Sequence, residues 1–499
     1  MCTKKVAIIG GGIAGISAGC YLQRNGFKTA IYEKASELGG LCTFWRRKDY
    51  VFDICMHMFC GVNAKNQYYK LWDEIGIFEY TEMLEIEFIK DIEYEKGKYF
   101  RLYCDLEKFK DELIRVAPED KQVIQEFIDG IIGFPEFSDI DKPKELMTIQ
   151  YKLKFMSMNQ NAFKIIKYWS GMSVDSFLDL FHHKNRMRRI FYSILACGGR
   201  MTMSYLMSVL SQFKVGGIGL PVGGAKALTE ALLNCYNASG GQVEKNAEVK
   251  KVLIEDGKAT GIELASGKKI EADIIISACD GLDTIYKLVG EEYIDLEILK
   301  TYEMLEPNTS IIQISLGIAK ELESEICSIN YMLDEEIKVD DKYTCDNIDV
   351  KIVRNDHVKL PKGKNIIEVT LYASYDYWMN LRNTDKELYV KEKGRIADIV
   401  IDSLDQRFHI KEAIEVIDVS TPATIKNYTN NRNGSILGWL CDKEYSNVVL
   451  KKKLSKVKNF YMTGMWLELG ASMPASAKLG KDVAHIICHD NNLKFRLDT

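Results

Sequence analysis

Apolar residues fall along this chain in three patterns. A short unbroken run at Val6 to Ile9 has the character of a parallel strand buried on both faces, as does Ala272 to Ala278, and Phe27 to Tyr32 reads as a further strand. Helical spacing recurs in Ile13 to Arg24, Tyr68 to Ile75, Leu106 to Val116, Gln122 to Ile132, Ala225 to Ala238 and Asp385 to Phe408. Strand-like runs come at Leu84 to Ile89, Tyr99 to Tyr103, Val252 to Glu255, Thr260 to Leu264, Ser310 to Gly317, Asn365 to Ala373 and Ile414 to Val419, with D-G and S-G turns between some of them. Residues 134 to 214 differ in character. Pro135 and Pro143 punctuate their start, and helical stretches rich in Met, Phe, Tyr and Lys follow over Leu146 to Trp169, Val174 to Phe181 and Met187 to Phe213.

Between the first predicted strand and helix, Gly10, Gly12 and Gly15 form G-x-G-x-x-G. The first glycine allows a tight turn, the second lets a pyrophosphate approach the backbone, and the third packs helix against sheet. The helix N-terminus turns free N–H groups and a positive dipole end toward phosphates. Glu33, 23 residues after Gly10, closes the second strand and can accept hydrogen bonds from ribose hydroxyls. This unit predicts a dinucleotide site, with Lys34 adjoining it.

Glu37-Leu38-Gly39-Gly40 follows at once, and its two glycines allow a second close backbone approach. The arrangement resembles the FAD-binding amine oxidase and phytoene desaturase superfamily, which implies FAD in preference to NAD. Further segments carry the same resemblance. Asp53, His57 and Gly61 match a D-x-G-x-H-[YW]-x-x-G segment of the retinol saturase and carotenoid isomerase branch, with Cys55 standing where that branch has glycine. Gly219 to Gly224 is similar to the element leading back into the cofactor domain, and Val249 takes the position whose backbone meets the adenine. Thr421 to Gly438 resembles the family's return segment. In Asn459 to Ala484, Gly464, Trp466, Gly470, Pro474 and Gly480 fall in register with its flavin-contact strand and helix, although Met465 replaces an acid and Leu469 a proline.

The resemblance implies an α/β fold: a Rossmann-type FAD-binding domain, discontinuous in sequence, with an inserted α+β substrate domain carrying a helical subdomain. The expected pieces are FAD-binding at 1–85, 215–298 and 421–499, and substrate-binding at 86–214 and 299–420. Cofactor contacts are expected from Gly10, Gly12, Gly15, Glu33, Lys34, Gly39, Gly40, Val249, Gly464, Gly470 and Pro474.

With 499 residues the chain has room for two or three domains, and its 46% apolar and 27% charged residues are ordinary for a globular protein. A net charge of −5 argues against a nucleic-acid partner. Thirteen cysteines without CxxC pairs fit reduced thiols in a cytoplasmic protein, and the seven histidines suggest no metal site. The basic and apolar helices of 134–214 suit a wall for a small hydrophobic substrate or a peripheral membrane contact. Nothing in the sequence bears on oligomeric state.

Two groups are candidates for proton transfer. His57 has either that role, with an imidazole titrating near neutrality, or a structural one. Glu468 is either a carboxylate beside the flavin or an exposed one. The expected activity is oxidoreduction of a polyene, isoprenoid or lipid-like substrate by desaturation, saturation or flavin-assisted isomerisation. The alternatives are amine or amino-acid oxidation, and a non-catalytic prenyl-binding protein on the same fold.

Overall fold

The structure, a computed structural model, describes residues 4–135, 142–194, 199–322, 328–353, 358, 360–445, 448–470 and 472–497. Strand Lys5–Ile9 is the centre of a five-stranded, wholly parallel sheet in the order Gln242–Glu244, Lys28–Tyr32, Lys5–Ile9, Ile274–Ser277, Phe460–Met462. Its strands come from three separated stretches of chain. Val6, Ile8 and Ile9 are almost wholly buried, as an unbroken apolar run requires when helices cover both faces of a sheet.

Helix Ile13–Arg24 is buried on every side from Ile13 to Leu22. It fits because glycines let its neighbours in. A Cβ on Gly480 of helix Met473–Asp490 would sit 2.4 Å from the Ala14 carbonyl oxygen, and one on Gly19 would meet the Tyr236 ring of helix Gly224–Ala238 at 2.5 Å. Ser17 Oγ donates to the Ala477 carbonyl at 2.7 Å across the same contact.

The intervening stretches build a second sheet of seven strands, ordered Ile414–Ser420, Ser310–Ile318, Asn365–Ala373, Thr344–Val353, Ser328–Lys338, Phe88–Glu95, Lys98–Tyr103. All neighbours are antiparallel except Ser328–Lys338 with Phe88–Glu95. One face carries Ile312, Ile314, Val350, Ile352, Ile367 and Val369 into a core closed by helices Tyr375–Thr384 and Lys386–Phe408. Strands Ser328–Lys338 and Thr344–Val353, and helix Tyr375–Thr384, were not expected from sequence. The two strands carry Asp334, Glu335, Glu336, Asp346, Asn347 and Asp349, residues that strands disfavour.

A helical layer covers one end of this sheet, with a core that includes Phe109, Phe127, Phe177, Phe191, Leu206 and Phe213. The stretch expected as one helix over Leu146 to Trp169 is two helices, Ile149–Met158 and Gln160–Ser170. Asn159 ends the first, its side chain bonding back to the Phe155 carbonyl at 2.9 Å. The helix expected over Met187 to Phe213 crosses 195–198, which lie outside the described residues. On either side of them the chain forms Lys184–Ile194 and Met203–Leu210.

Candidate functional site

A single cavity of about 1600 Å³ runs from the carboxyl ends of the parallel strands to the second sheet and the helical layer. At its nucleotide end, Gly10 has a φ of 100° and packs 3.4 Å (as a Cβ) from Cys279 Sγ, so the turn is one a side chain would strain. Gly12 starts helix Ile13–Arg24 with no capping side chain and no acidic residue in the first turn. Its first N–H groups are therefore left for another acceptor. Gly12 bridges Gly39, and a Cβ on Gly12 would meet nothing nearer than Gly40 Cα at 3.9 Å. These glycines leave a smooth cradle.

Glu33 is held by the fold before any ligand arrives. Its Oε2 accepts the Gly11 N–H at 2.7 Å and its Oε1 the Ala35 N–H at 2.9 Å. Each carboxylate oxygen has a second lone pair to offer to a hydroxyl. Lys34 lines the cavity, with its ammonium engaged by the Asn427 carbonyl at 2.7 Å and Asn430 Oδ1 at 3.0 Å. Val249 lines it beside a bulge in its strand, where ladder pairing is broken. At the other flank Gly464, Met465, Trp466, Met473 and Pro474 form the wall, and Ser472 caps helix Met473–Asp490 through the Ala475 N–H. This donor set, with an uncapped helix start, a fixed carboxylate and two glycine approaches, fits an adenine dinucleotide.

Two of the expected contacts lie behind the wall. Gly15 packs rather than lines: a Cβ there would be 2.2 Å from the Gly10 carbonyl oxygen. Gly470 makes room for the ring of Tyr205, which itself faces the cavity.

The far half of the cavity is walled by apolar groups, among them Ile86, Ile89, Leu102, Val209, Leu210 and Phe213. One side of it is polar. Lys351 and Glu368 stand opposite each other on neighbouring strands, and Lys351 Nζ donates to Glu368 Oε2 at 2.8 Å and to Asp53 Oδ1 at 3.4 Å. Lys90 Nζ pairs with Asp349 Oδ1 at 2.7 Å. None of these four sheet residues was singled out from sequence. Alternation in Ile348-Asp349-Val350-Lys351-Ile352 was the available signal, and it marks a polar face without saying what that face meets.

His57 lines this region, and protein surrounds it, although its ring is open to the cavity. Its ring nitrogens make no hydrogen bond to the described residues. Burial, then the positive charge of Lys351, lowers its pKa to about 4. The expectation of an imidazole titrating near neutrality is corrected: His57 is neutral there. Glu368 moves the other way, to about 6, because burial and the neighbouring Asp53 disfavour its charge more than Lys351 favours it. Lys351 stays charged, held so by the two carboxylates. Glu468 is not on the cavity wall. Burial raises its pKa, against the attraction of Lys144, Lys452 and Lys478. The two proton-transfer candidates are thus not brought together.

Two predictions follow from these contacts. Glu33→Ala removes charge-assisted bonds worth about 1.5–3 kcal/mol each, so flavin retained through dialysis falls and the thermal midpoint drops even without flavin. Flavin content equal to the parent's would refute the ribose assignment. For Glu368 the folded pKa of about 6 lies above its ordinary 4.5, so the folded state binds the proton more tightly. The stabilisation is complete below pH 4.5 and lost as pH rises through 6, a change of about 2 kcal/mol at 1.36 kcal/mol per unit. Denaturation of Glu368→Gln across this range lacks that fall, and curves parallel to the parent's would contradict it.

Residues 13–283, more than half of the chain, match the family described as flavin containing amine oxidoreductase. The chain is similar to chloroplastic prolycopene isomerase of Daucus carota, 24% identical over 86% of this chain and 71% of that one. It is similar to 4,4'-diaponeurosporene oxygenase of Staphylococcus aureus, 22% identical over 97% of both chains. Among solved structures, an oxidoreductase from Methanosarcina mazei covers 97% of this chain with all of its own, at 17% identity and a TM-score of 0.59, a likeness of fold. The glycine cradle, the three-piece parallel sheet and these matches agree: the chain belongs to the flavin-containing amine oxidoreductase family and is an FAD-dependent oxidoreductase.

Proposed function

We propose that this enzyme oxidises, reduces or isomerises a hydrophobic unsaturated substrate such as a polyene, an isoprenoid or a lipid-like chain. One observation carries the reading: the nucleotide cradle opens, without a partition, into a cavity walled by Ile86, Ile89, Leu102, Val209, Leu210 and Phe213. The names of the relatives, an isomerase of prolycopene and an oxygenase of diaponeurosporene, support it.

Bound FAD supplies the exchange of hydride or electrons. Gly10, Gly12, Glu33, Gly39, Gly40, Val249, Gly464 and Pro474 hold it. Gly15 and Gly470 shape the packing behind it, and Lys34 ties the site's edge to Asn427 and Asn430. The apolar wall orients the substrate and excludes water. Glu368 stores or releases a proton near neutral pH with Lys351 as its counter-ion, and His57 acts as a neutral hydrogen-bonding group. The chain divides functionally into cofactor pieces at 1–85, 215–298 and 421–499 and substrate pieces at 86–214 and 299–420.

Anaerobic mixing of the flavin-loaded enzyme with unsaturated isoprenoids, or of its reduced form with polyenes, changes the flavin absorbance near about 450 nm. A response to amines, with none to any unsaturated lipid, would replace this reading with amine oxidation.

We further propose that the protein is cytoplasmic and rests on a membrane through helices Ile149–Met158 and Gln160–Ser170. Ile149, Leu153 and Met158 are 78, 63 and 74% exposed, and residues 147–174 hold four lysines and no acid. Apolar side chains among lysines suit an anionic bilayer surface. No helix among the described residues is long and apolar enough to cross one. The protein should sediment with phosphatidylserine vesicles, and a Leu153→Asp, Met156→Asp variant should remain in the supernatant. Equal sedimentation of the two would exclude this surface.

A further inference from the structure

The polar wall is out of place in a tunnel for a pure hydrocarbon. Lys351, Glu368 and Asp53 have side chains only 15, 5 and 13% exposed, so little water reaches them once the cavity is filled. A hydrocarbon lying over them would strip that water and return no hydrogen bond, and unsatisfied buried polar groups are costly. The wall also offers unused donors. Lys351 directs two of its three N–H groups to Asp53 and Glu368, and Lys90 one of three to Asp349. Thr370, opposite Asp349 in the sheet, lines the cavity with a hydroxyl that makes no hydrogen bond to the described residues. His57 presents an unpaired neutral ring beside them.

The charges restrict what fits. Asp53, Asp349 and Glu368 face two ammonium groups, so the cluster among the described residues already carries one excess negative charge when Glu368 is ionised. A ligand carboxylate would add another. A ligand ammonium would be drawn by the excess carboxylate charge, but it offers no acceptor to the spare lysine donors and leaves them unpaired. A neutral oxygen accepts from Lys351 or Lys90, and as a hydroxyl also donates to a carboxylate.

We infer that the substrate carries a neutral oxygen function, a hydroxyl or carbonyl, that docks on the cavity wall at Lys351 and Glu368, which Asp53 supports from behind, while its hydrocarbon part lies along the apolar wall. This inference rests on the hydrophobic-substrate reading and narrows it. Discrimination by a site built to hydrogen-bond a ligand oxygen is strong, because the analogue lacking it leaves the site's groups unpaired.

The test uses the FAD-loaded enzyme and five probes sharing one twenty-carbon isoprenoid skeleton: geranylgeraniol, its aldehyde, its acid, its amine and the parent hydrocarbon. Dissociation constants come from quenching of protein fluorescence, without turnover. The alcohol or the aldehyde binds about tenfold or more tightly than the hydrocarbon, the acid and the amine. In Lys351→Met that advantage falls below about threefold while flavin content and visible spectrum stay those of the parent. Should Lys351→Met not fold, Thr370→Val is read the same way, with a smaller loss of preference.

Equal binding of hydrocarbon and alcohol overturns the inference and leaves the hydrophobic-substrate reading standing. Tightest binding by the acid or the amine overturns it also. Loss of FAD from Lys351→Met with the alcohol preference retained means that the wall serves the flavin, which again overturns it. Binding of none of the five by flavin-loaded enzyme overturns both readings.

Discussion

The rest of the structure depends on one pairing. Val6 to Ile9 lies against Ile274 to Ser277, in parallel, across about half the chain. Full burial of a Val or Ile side chain is worth roughly 1.5–3 kcal/mol, so the three branched residues of the central strand contribute on the order of 5–9 kcal/mol. That is comparable with the net stability of a whole domain. The register does more than stabilise. It fixes where the chain leaves and re-enters the sheet: Gly10 turns out of the first strand and Ala278 out of the second, side by side at the cavity.

Because the long inserts start and finish at that one sheet, they have to fold back on themselves. They do so by sharing a second sheet, in which Phe88–Glu95 from the first insert pairs with Ser328–Lys338 from the second. The cavity is the space left between two sheets held at their margins. Its nucleotide half is lined by backbone and glycine, and its far half by whichever side chains the second sheet turns inward. Cofactor and substrate surfaces are therefore under separate control, which is how one cofactor fold can serve many substrates.

What could be read from sequence follows the same division. Gly10, Gly12, Glu33, Gly39 and Gly40 were legible because the chemistry of a dinucleotide turn is local: the spacing along the chain is the spacing in space. Lys90, Asp349, Lys351 and Glu368 were not, because only the sheet order brings them together. Their strands alternate polar and apolar in the manner of a solvated face, and one of them, Thr344–Val353, contains too many acids and asparagines to read as a strand. Glu468 is a different case. Its neighbours Met465 and Trp466 do face the cavity, but the chain turns at Gly464 and Gly470, where φ is 110° and 71°, and Glu468 between them is not on the cavity wall. Proximity in sequence to a cofactor segment did not translate into a place on the cavity wall.

The buried ions show how the protein keeps a proton in an apolar place. A buried ion pair seldom adds net stability, since desolvation offsets the attraction. Here the balance is visible in the two groups: Lys351 holds its charge, while Glu368 rises to about 6 because burial disfavours its charge and Asp53 already claims part of the same ammonium. One cation shared by two carboxylates leaves one carboxylate half committed. His57, beside this arrangement, is kept neutral by burial first and by the charge of Lys351 second. The result is a proton that can reside on Glu368 within reach of neutral pH, beside a ring that cannot compete for it. An apolar wall alone would orient a chain of carbons; this corner gives the site a direction, since only one end of a ligand can satisfy it.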